Sequence, residues 1–578
     1  MNMQKICLLI FAALLCVSCE DFLDTQNVTK KDTSNFPLSA TDADNMITGV
    51  YATLSRAISD PQNTYFYAAE LASDERFGGG GENDKAFQGM DHLLNVGPNQ
   101  FETFWTARYQ GIFRANMALE TLDNCQVDEV ALNRYKGEAH YLRAFFYHEL
   151  VEMFGEVPLV VSTESQNLPR ATADLIYGLI AYDLKQAIAL LPATRQPVPA
   201  ESGHATKWAA EALLARVFLF YTGFYGQTAL PLGNGEGTEN TGTVEKTEVI
   251  AGIDDCIANS GHSLVDDFRR LWPYSNPYTA PEYDFVKDLA AANKTWVLDG
   301  HNPEHVFVVK ASNMAAWGTI TGYSNQYLIH FGLRADNGAD ATSKKGLGNT
   351  FPFGVGWGAG PVNTTLWNEW DSTDPRRKAS IMAVADETTN YIWGADKQME
   401  ETGYWQKKYT TIRAHDADGN LKNGFSSLMW TNDDDFQLRQ VQDLIVIRYA
   451  DVLLMQSELK GDAAGINAVR SRAGLGTVGY SLDNLKKERR FELAFEGRRW
   501  ADIRRWGDAP VLLGKQEGVS IWNRGLPEPM KPFGGGYTAR YNATKGFFPI
   551  PQTQIDLSDG MLQQTLGWGS AENEFQGW

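Results

Sequence analysis

Polar residues strung around four consecutive glycines, and aromatic rings spread through a stretch with little apolar periodicity, are the groups in this sequence best suited to holding a ligand. In ELASDERFGGGGENDKAF the glycines at 78–81 permit backbone shapes that other residues resist. Asp74, Arg76 and Asn83 lie on either side of them. A loop of that make-up can present polar groups to sugar hydroxyls, or carbonyls to a cation; a flexible surface turn is the competing reading. Arginine brings fixed donors and asparagine a two-way amide, which suits vicinal hydroxyls. The rings are Trp272, Tyr274, Tyr278, Trp296, Trp317, Tyr323, Trp357, Trp367, Trp370 and Trp393. Flat rings with a polar edge match the apolar C–H face and hydroxyl rim of a sugar. Each ring taken singly has an alternative role, stapling a region that lacks a regular core. The candidates for ligand contact are therefore Asp74, Arg76, Asn83, Trp272, Tyr274, Trp317 and Trp357.

Catalysis has less to stand on. The 71 Asp and Glu residues could hide a glycosidase pair, whose carboxyls stand about 5–9.5 Å apart, but no local motif marks one. There is no G-x-S-x-G, no H-E-x-x-H and no Walker loop, and the glycine run lacks the G-K-[ST] of a phosphate cradle. The nine histidines are scattered. No catalytic residue, protein metal site or cofactor is assigned, with one candidate for structural calcium in TNDDDF around Asp433, Asp434 and Asp435. Hard cations take several oxygen ligands, though the spacing is not that of an EF-hand.

At the start of the chain, Lys5 precedes the apolar residues 6–18. That run is too short for a membrane-spanning helix, which needs about 20 residues, and reads as a secretory signal. It leads through Val17 and Ser18 into Cys19 and resembles the lipobox of bacterial lipoproteins, with Cys16 where leucine is usual. The resemblance implies that Cys19 is acylated and becomes the mature N-terminus, tethered by lipid alone, since multiple acyl chains anchor stably. The alternative is a plain signal peptide with an incidental cysteine. Loss of residues 1–18 removes Lys5 and takes the formal charge from −20 to −21. A chain so acidic lacks the basic surface that nucleic acid requires. Cys125 and Cys256 would be the remaining cysteines; a disulfide between them is left open, and there is no C-x-x-C zinc pattern.

Helices must position these groups. EAHYLRAFFYHELVEMFG, ATADLIYGLIAYDLKQAIALLP and HATKWAAEALLARVFLFYTGFYG carry apolar residues at three- and four-residue spacing, each forming one stripe. Paired helices of that length with small residues at their contacts predict a mainly α, tetratricopeptide-like repeat scaffold. From about residue 261 to 435 the sequence turns rich in Trp, Gly, Pro and Asn, with short candidate strands in EHVFVVKAS and YWQKKYTTI. Irregular stretches of that length are usually functional. Helical patterning returns in QDLIVIRYADVLLMQSELKGD, AAGINAVRSRAG and LKKERRFELAFEGRRWADIRRWG. In the last of these, Arg498 with Asp502 and Glu496 with Arg499 are spaced to pair along an exposed helix face, where such pairs contribute under about 1 kcal/mol each. The expected organisation is a signal at 1–18, a lipidated tether at 19–40, a helical part at 41–260, a loop-rich and aromatic-rich ligand-binding insertion at 261–435, and a helical and loop part at 436–578.

Six stretches together carry a more specific likeness: CEDFLD, YLRAFFYHELVEMFGEVPLV, DLIVIRYADVLLMQSE, INAVRSRAG, ERRFELAFEGRRWADIRRWG and FFPIPQTQI. In this order they resemble the SusD/RagB family of outer-membrane nutrient-binding lipoproteins, with Leu566 departing from the family's usual proline. The resemblance implies a non-enzymatic lipoprotein on the outer membrane, facing the exterior, that captures glycan or oligosaccharide and delivers it to a SusC-like TonB-dependent transporter. Glu20 and Asp21 resemble the family's export signal. It also implies that ligand contacts come from the early loop and the middle region, without a shared signature. A peptide-binding or other nutrient-binding member of the same family, an all-helical glycoside hydrolase and a periplasmic helical-repeat adaptor are the alternatives.

Overall fold

The computed structural model describes residues 36–316, 323–334, 350–387 and 391–578. Its longer helices are α1 (Ala40–Ser59), α2 (Glu102–Thr121), α3 (Glu129–Phe154), α4 (Ala173–Leu190), α5 (Lys207–Tyr225) and α6 (Lys246–Asn259), then α7 (Tyr449–Lys460), α8 (Ala464–Arg472), α9 (Leu482–Glu492) and α10 (Arg499–Arg505). Local chemistry sets their ends. Ser39 caps α1 in a reciprocal box with Asp42, Asp128 caps α3 through the Ala131 amide, and Thr206 caps α5; each cap satisfies donors that the first turn leaves open. Gly226 and Gly461 close α5 and α7 in the left-handed conformation, as helix ends favour.

Successive helices pack on one another from α1 to α6, and α7 then stacks on α6 although residues 260–448 intervene. The scaffold is thus the expected helical, tetratricopeptide-like repeat, drawn from both ends of the chain. Close approach has a stereochemical basis: a Cβ at Gly111 of α2 would stand 2.5 Å from the Phe146 ring of α3. Among the described residues, no helix is long and apolar enough to cross a membrane. Cys125 and Cys256 are both buried free thiols, the first against Met46 and Ala139 and the second in the main core.

The middle region has its own core. Phe268, Leu271, Trp272, Tyr274, Tyr283, Trp296, Phe353, Trp405 and Ile412 pack together there. A two-stranded antiparallel ladder, His305–Val309 with Leu444–Arg448, joins this core to the helices. Side chains alternate across such a ladder: Phe307 and Val309 enter the helical core and Val308 the second one.

Arg448, at the end of that ladder, is the centre of a buried charge network. Its guanidinium meets Glu492 at 2.6 Å, Glu496 at 2.6 Å and Glu304 at 3.1 Å. Glu492 also binds Arg472 and Arg376 at 2.8 Å, while Glu496 binds Lys408 at 2.6 Å. A second group links Arg489 to Asp451 and Asp502, both at 2.8 Å, with Arg216 on Asp451 at 2.6 Å. This corrects the exposed-face reading of ERRFELAFEGRRWADIRRWG. The helix is broken between α9 and α10, where Phe495 and Gly497 adopt φ of 64° and 70°. Asp502 turns to Arg489 and Arg505, Glu496 to Arg448 and Lys408, and Arg499 to Asp74. The charges hold elements together instead of lining a solvated helix.

Removing one partner from such a group strands the others without water, at a cost of about 3–5 kcal/mol. Arg448→Met should therefore lower unfolding stability by that amount; a loss under about 1 kcal/mol in thermal or denaturant unfolding would contradict the assignment. The network also fixes an acid limb. Burial alone would raise the Glu492 and Asp451 carboxyls, but Arg472, Arg448 and Arg376 around the first, and Arg489 and Arg216 around the second, hold both below the ordinary range. The unfolded chain takes up protons first, near pH 4–4.5, so the contribution of these two carboxylates should be fully present above about pH 5 and be lost as pH falls towards their depressed values.

Candidate functional site

The early glycine loop does meet the middle region, and it does so as packed backbone. Gly79 and Gly80 have φ of 67° and 72°, and a Cβ on Gly79 would lie 2.3 Å from Pro361. The Gly80 amide donates to the Gly358 carbonyl at 2.7 Å, and the Met399 amide to the Gly80 carbonyl at 2.8 Å. Gln88 Nε2 donates to the carbonyls of Gly79 and Gly81 at 3.0 and 3.2 Å. The glycines therefore serve close approach, and residues 70–81 are buried throughout.

Burial sorts the candidates. Asp74 is enclosed and receives both arms of Arg499 at 2.7 and 2.8 Å. Burial alone would raise its carboxyl, but Arg499 and Arg490 outweigh that and hold it well below the usual range. Arg76 is fully buried, paired with Glu70 at 2.6 Å and sandwiched by the rings of Phe331 and Phe495 at 4.3 and 4.6 Å. Trp272 is fully buried beneath the Lys408 ammonium at 4.9 Å, and Tyr274 is fully buried with its hydroxyl donating to the Ala379 carbonyl at 3.0 Å. These four are structural groups, a correction to their selection as ligand contacts: no face of either ring and no free edge of either ion reaches solvent. Trp317 and Cys19 lie outside the described residues.

Asn83 and Trp357 remain at the surface, the first exposed and the second half-buried. Around them is a polar rim. Arg334 donates to the Trp357 carbonyl at 2.7 Å and pairs with Asp84 at 3.2 Å and Asp396 at 2.8 Å. Glu82, at the loop tip, meets Lys397 at 3.2 Å and Arg524 at 3.3 Å. The Trp357 ring leans on Phe436 at 6.0 Å. On the same 391–401 segment, Trp393 is 37% exposed, backed by Trp522 at 5.1 Å and Tyr391 at 5.7 Å. The arrangement offers ring faces beside guanidinium, amide and carboxylate edges, which is what a polyhydroxylated ligand requires. A separate cleft of about 320 Å³ is lined by Trp296, His301, Asn313 and Trp430.

Sequence reasoning passed over Arg334, Asp396, Trp430, Trp522 and Arg524. An aromatic in turn-rich sequence would have found Trp430 and Trp522; nothing local distinguishes Arg334. The calcium candidates point to different protein partners: Asp433 to Arg439, Asp434 to the amides of Asn423 and Gly424, and Asp435 to those of Gln437 and Leu438.

Comparison with known proteins bears on the whole chain. The family model described as "Starch-binding associating with outer membrane" matches residues 21–219, and that of the SusD family matches residues 348–568. SusD-like protein P2 of Formosa agariphila is 25% identical over 431 residues, covering 70% of this chain and 71% of its own. SusD-like protein P25 of the same organism is 23% identical over 561 residues, covering 88% and 90%. Among solved structures, a laminarin-binding SusD-like protein superimposes with a TM-score of 0.68 at 25% identity, over 92% of this chain and all of that one. Surface glycan-binding protein A from Bacteroides thetaiotaomicron, solved with laminarihexaose, gives 0.67 at 20% identity over the same shares, a likeness of fold.

The burial contrast is testable without a ligand. Trp272→Ala should destabilise the protein by about 3–5 kcal/mol, whereas Trp357→Ala should stay within about 1 kcal/mol of the parent; equal losses in melting temperature would refute the division between core and surface rings.

Proposed function

Because this chain belongs to the SusD/RagB family, we propose that it is a non-catalytic glycan-binding lipoprotein of the outer membrane that hands oligosaccharide to a SusC-like TonB-dependent transporter. One observation carries the binding half of this reading: the tip of the glycine loop, with Asn83 and Asp84, adjoins the loop of Trp357 through Arg334, which also pairs with Asp396, three residues along the chain from the exposed Trp393. Trp393 is partly open to water while Trp522 and Tyr391 back it, and holding a ring in advance lowers the ordering cost of binding. The absence of a nucleophile motif in the sequence supports capture without cleavage. Cys19, after its short apolar leader, is the proposed lipid attachment, and it agrees with a chain whose described helices cannot span a bilayer. Laminarin is the first ligand to test, since one similar protein is named for binding it.

The cleft with Trp430 is the second location a sugar ring could occupy, favoured by its volume of about 320 Å³ and by Trp296 and Trp430 in its lining. The soluble chain lacking residues 1–19, screened on a glycan array that includes laminarin, should bind at least one glycan and release no reducing ends from it. Trp357→Ala and Trp393→Ala should each weaken that binding by about 1–3 kcal/mol, the range of anchoring aromatics, with the fold unchanged. Loss with Trp430→Ala alone would move the site to the cleft. In cells, Cys19→Ala should release the protein from the membrane fraction; unchanged retention would exclude the lipid anchor.

A further inference from the structure

Beneath the glycine loop lies a set of polar groups that glycan binding does not use. Asp91 and His92 end the short helix Lys85–Asp91, and Glu400 comes from the middle region; their exposures are 0%, 1% and 0%. One ligand atom from each lies within 4.8 Å of the others. Asp91 Oδ2 accepts the Tyr537 hydroxyl at 2.9 Å. Glu400 accepts the Gly79 amide at 2.7 Å and the Trp578 indole N–H at 2.6 Å. Asp91 Oδ1 and both ring nitrogens of His92 have no hydrogen-bond partner. The His92 ring is walled by Phe533 at 4.8 Å, Tyr537 at 4.7 Å and Phe575 at 5.8 Å.

Many buried carboxylates in this protein meet Arg or Lys; among the described residues Asp91 and Glu400 have no such ion pair and, unlike Glu401, which the Tyr391 hydroxyl and the Gly394 amide hold, they adjoin each other and a bare imidazole. Two buried carboxyls without a counter-cation, beside an imidazole with both nitrogens bare, are costly as they stand. A second cluster, Asp299, His305 and Asp443, differs because Lys310 already supplies the cation at 2.5 Å from Asp443.

We propose that Asp91, His92 and Glu400 form a buried structural site for a divalent transition-metal ion, Zn²⁺ being the best fit. One imidazole nitrogen and two carboxylates, one of them binding through both oxygens, would give the four donor atoms that ion takes in a structural site, and its bonds of about 2.0–2.2 Å put ligand atoms of different residues roughly 3.3 Å apart. The observed spread closes to that by side-chain shifts of somewhat under an ångström. The aromatic wall keeps the site dry, and the carboxylates are oriented by the Tyr537, Gly79 and Trp578 donors, the outer partners that metal ligands commonly have. The ion would tie the helix that follows the glycine loop to the segment at 400, to which Trp578 is already hydrogen-bonded.

The test uses the chain from residue 20 onward, purified without chelator or histidine tag. It should retain about one equivalent of Zn²⁺ after dialysis, and the stripped protein should regain thermal stability on adding Zn²⁺, saturating at one equivalent. Co²⁺ substitution should give a visible spectrum of mixed nitrogen and oxygen ligation. His92→Phe fills the aromatic cage with a ring of similar size and should remain folded while losing the stoichiometric metal; Glu400→Gln should weaken retention at least 10-fold. Should His92→Phe fail to fold, the parent's Zn²⁺ stoichiometry and the Co²⁺ spectrum still decide. No retained metal and no stabilisation by Zn²⁺, Mn²⁺ or Ca²⁺ would overturn the proposal in favour of a proton shared between the two carboxyls, as would undiminished binding by a folded His92→Phe variant.

Discussion

A guanidinium is costly to take out of water unless acceptors close around it, and Arg448, whose acceptors are three carboxylates, obliges distant parts of this chain to meet. Glu304 precedes one strand of the joining ladder, Lys408 lies in the middle region, Glu492 ends α9 and Glu496 lies in the break before α10. Each ion is costly alone and tolerable in company, because the loss of hydration is offset only when several partners close on it together. The middle region is thereby fastened to the helical repeat by ionic groups whose geometry admits few alternatives, with Phe268 and Trp272 roofing the cations.

That fastening explains why the glycine loop and the aromatic stretch, far apart in sequence, share one surface. Arg499 and Arg490 hold Asp74, Glu70 binds Arg76 and accepts the Gly497 amide, and the loop is drawn against residues 358–362 by main-chain bonds. Glycine is required where Pro361 leaves no room for a side chain. What remains at the surface beyond this packed base is Asn83 at the tip, the half-buried Trp357, and Trp393 on its backing rings, the groups proposed for ligand contact.

The same logic separates the rings. Middle-region tryptophans share a local setting of turns and prolines, yet Trp370 is stacked on Phe491 at 4.8 Å and Trp272 is sealed under Lys408, while Trp393 and Trp430 are exposed. In loop-rich structure a ring's burial is set by whichever distant segment covers it.

Periodic properties were therefore legible in the sequence alone. Apolar spacing marked long helices of the repeat, and the six family stretches identified the kind of protein, because each is a local pattern read within about twenty residues. The break at Phe495 and Gly497 was not legible, since the intervening charges look like an ordinary helix face until Arg448 and Lys408 are brought to them. Nor was the choice of Asn83 and Trp357 over Asp74, Arg76, Trp272 and Tyr274, or the meeting of Asp91 and His92 with Glu400. Those outcomes depend on which groups lose water together, and only the tertiary structure decides that, because desolvation is a property of the neighbours a residue acquires and not of the residues beside it in the chain.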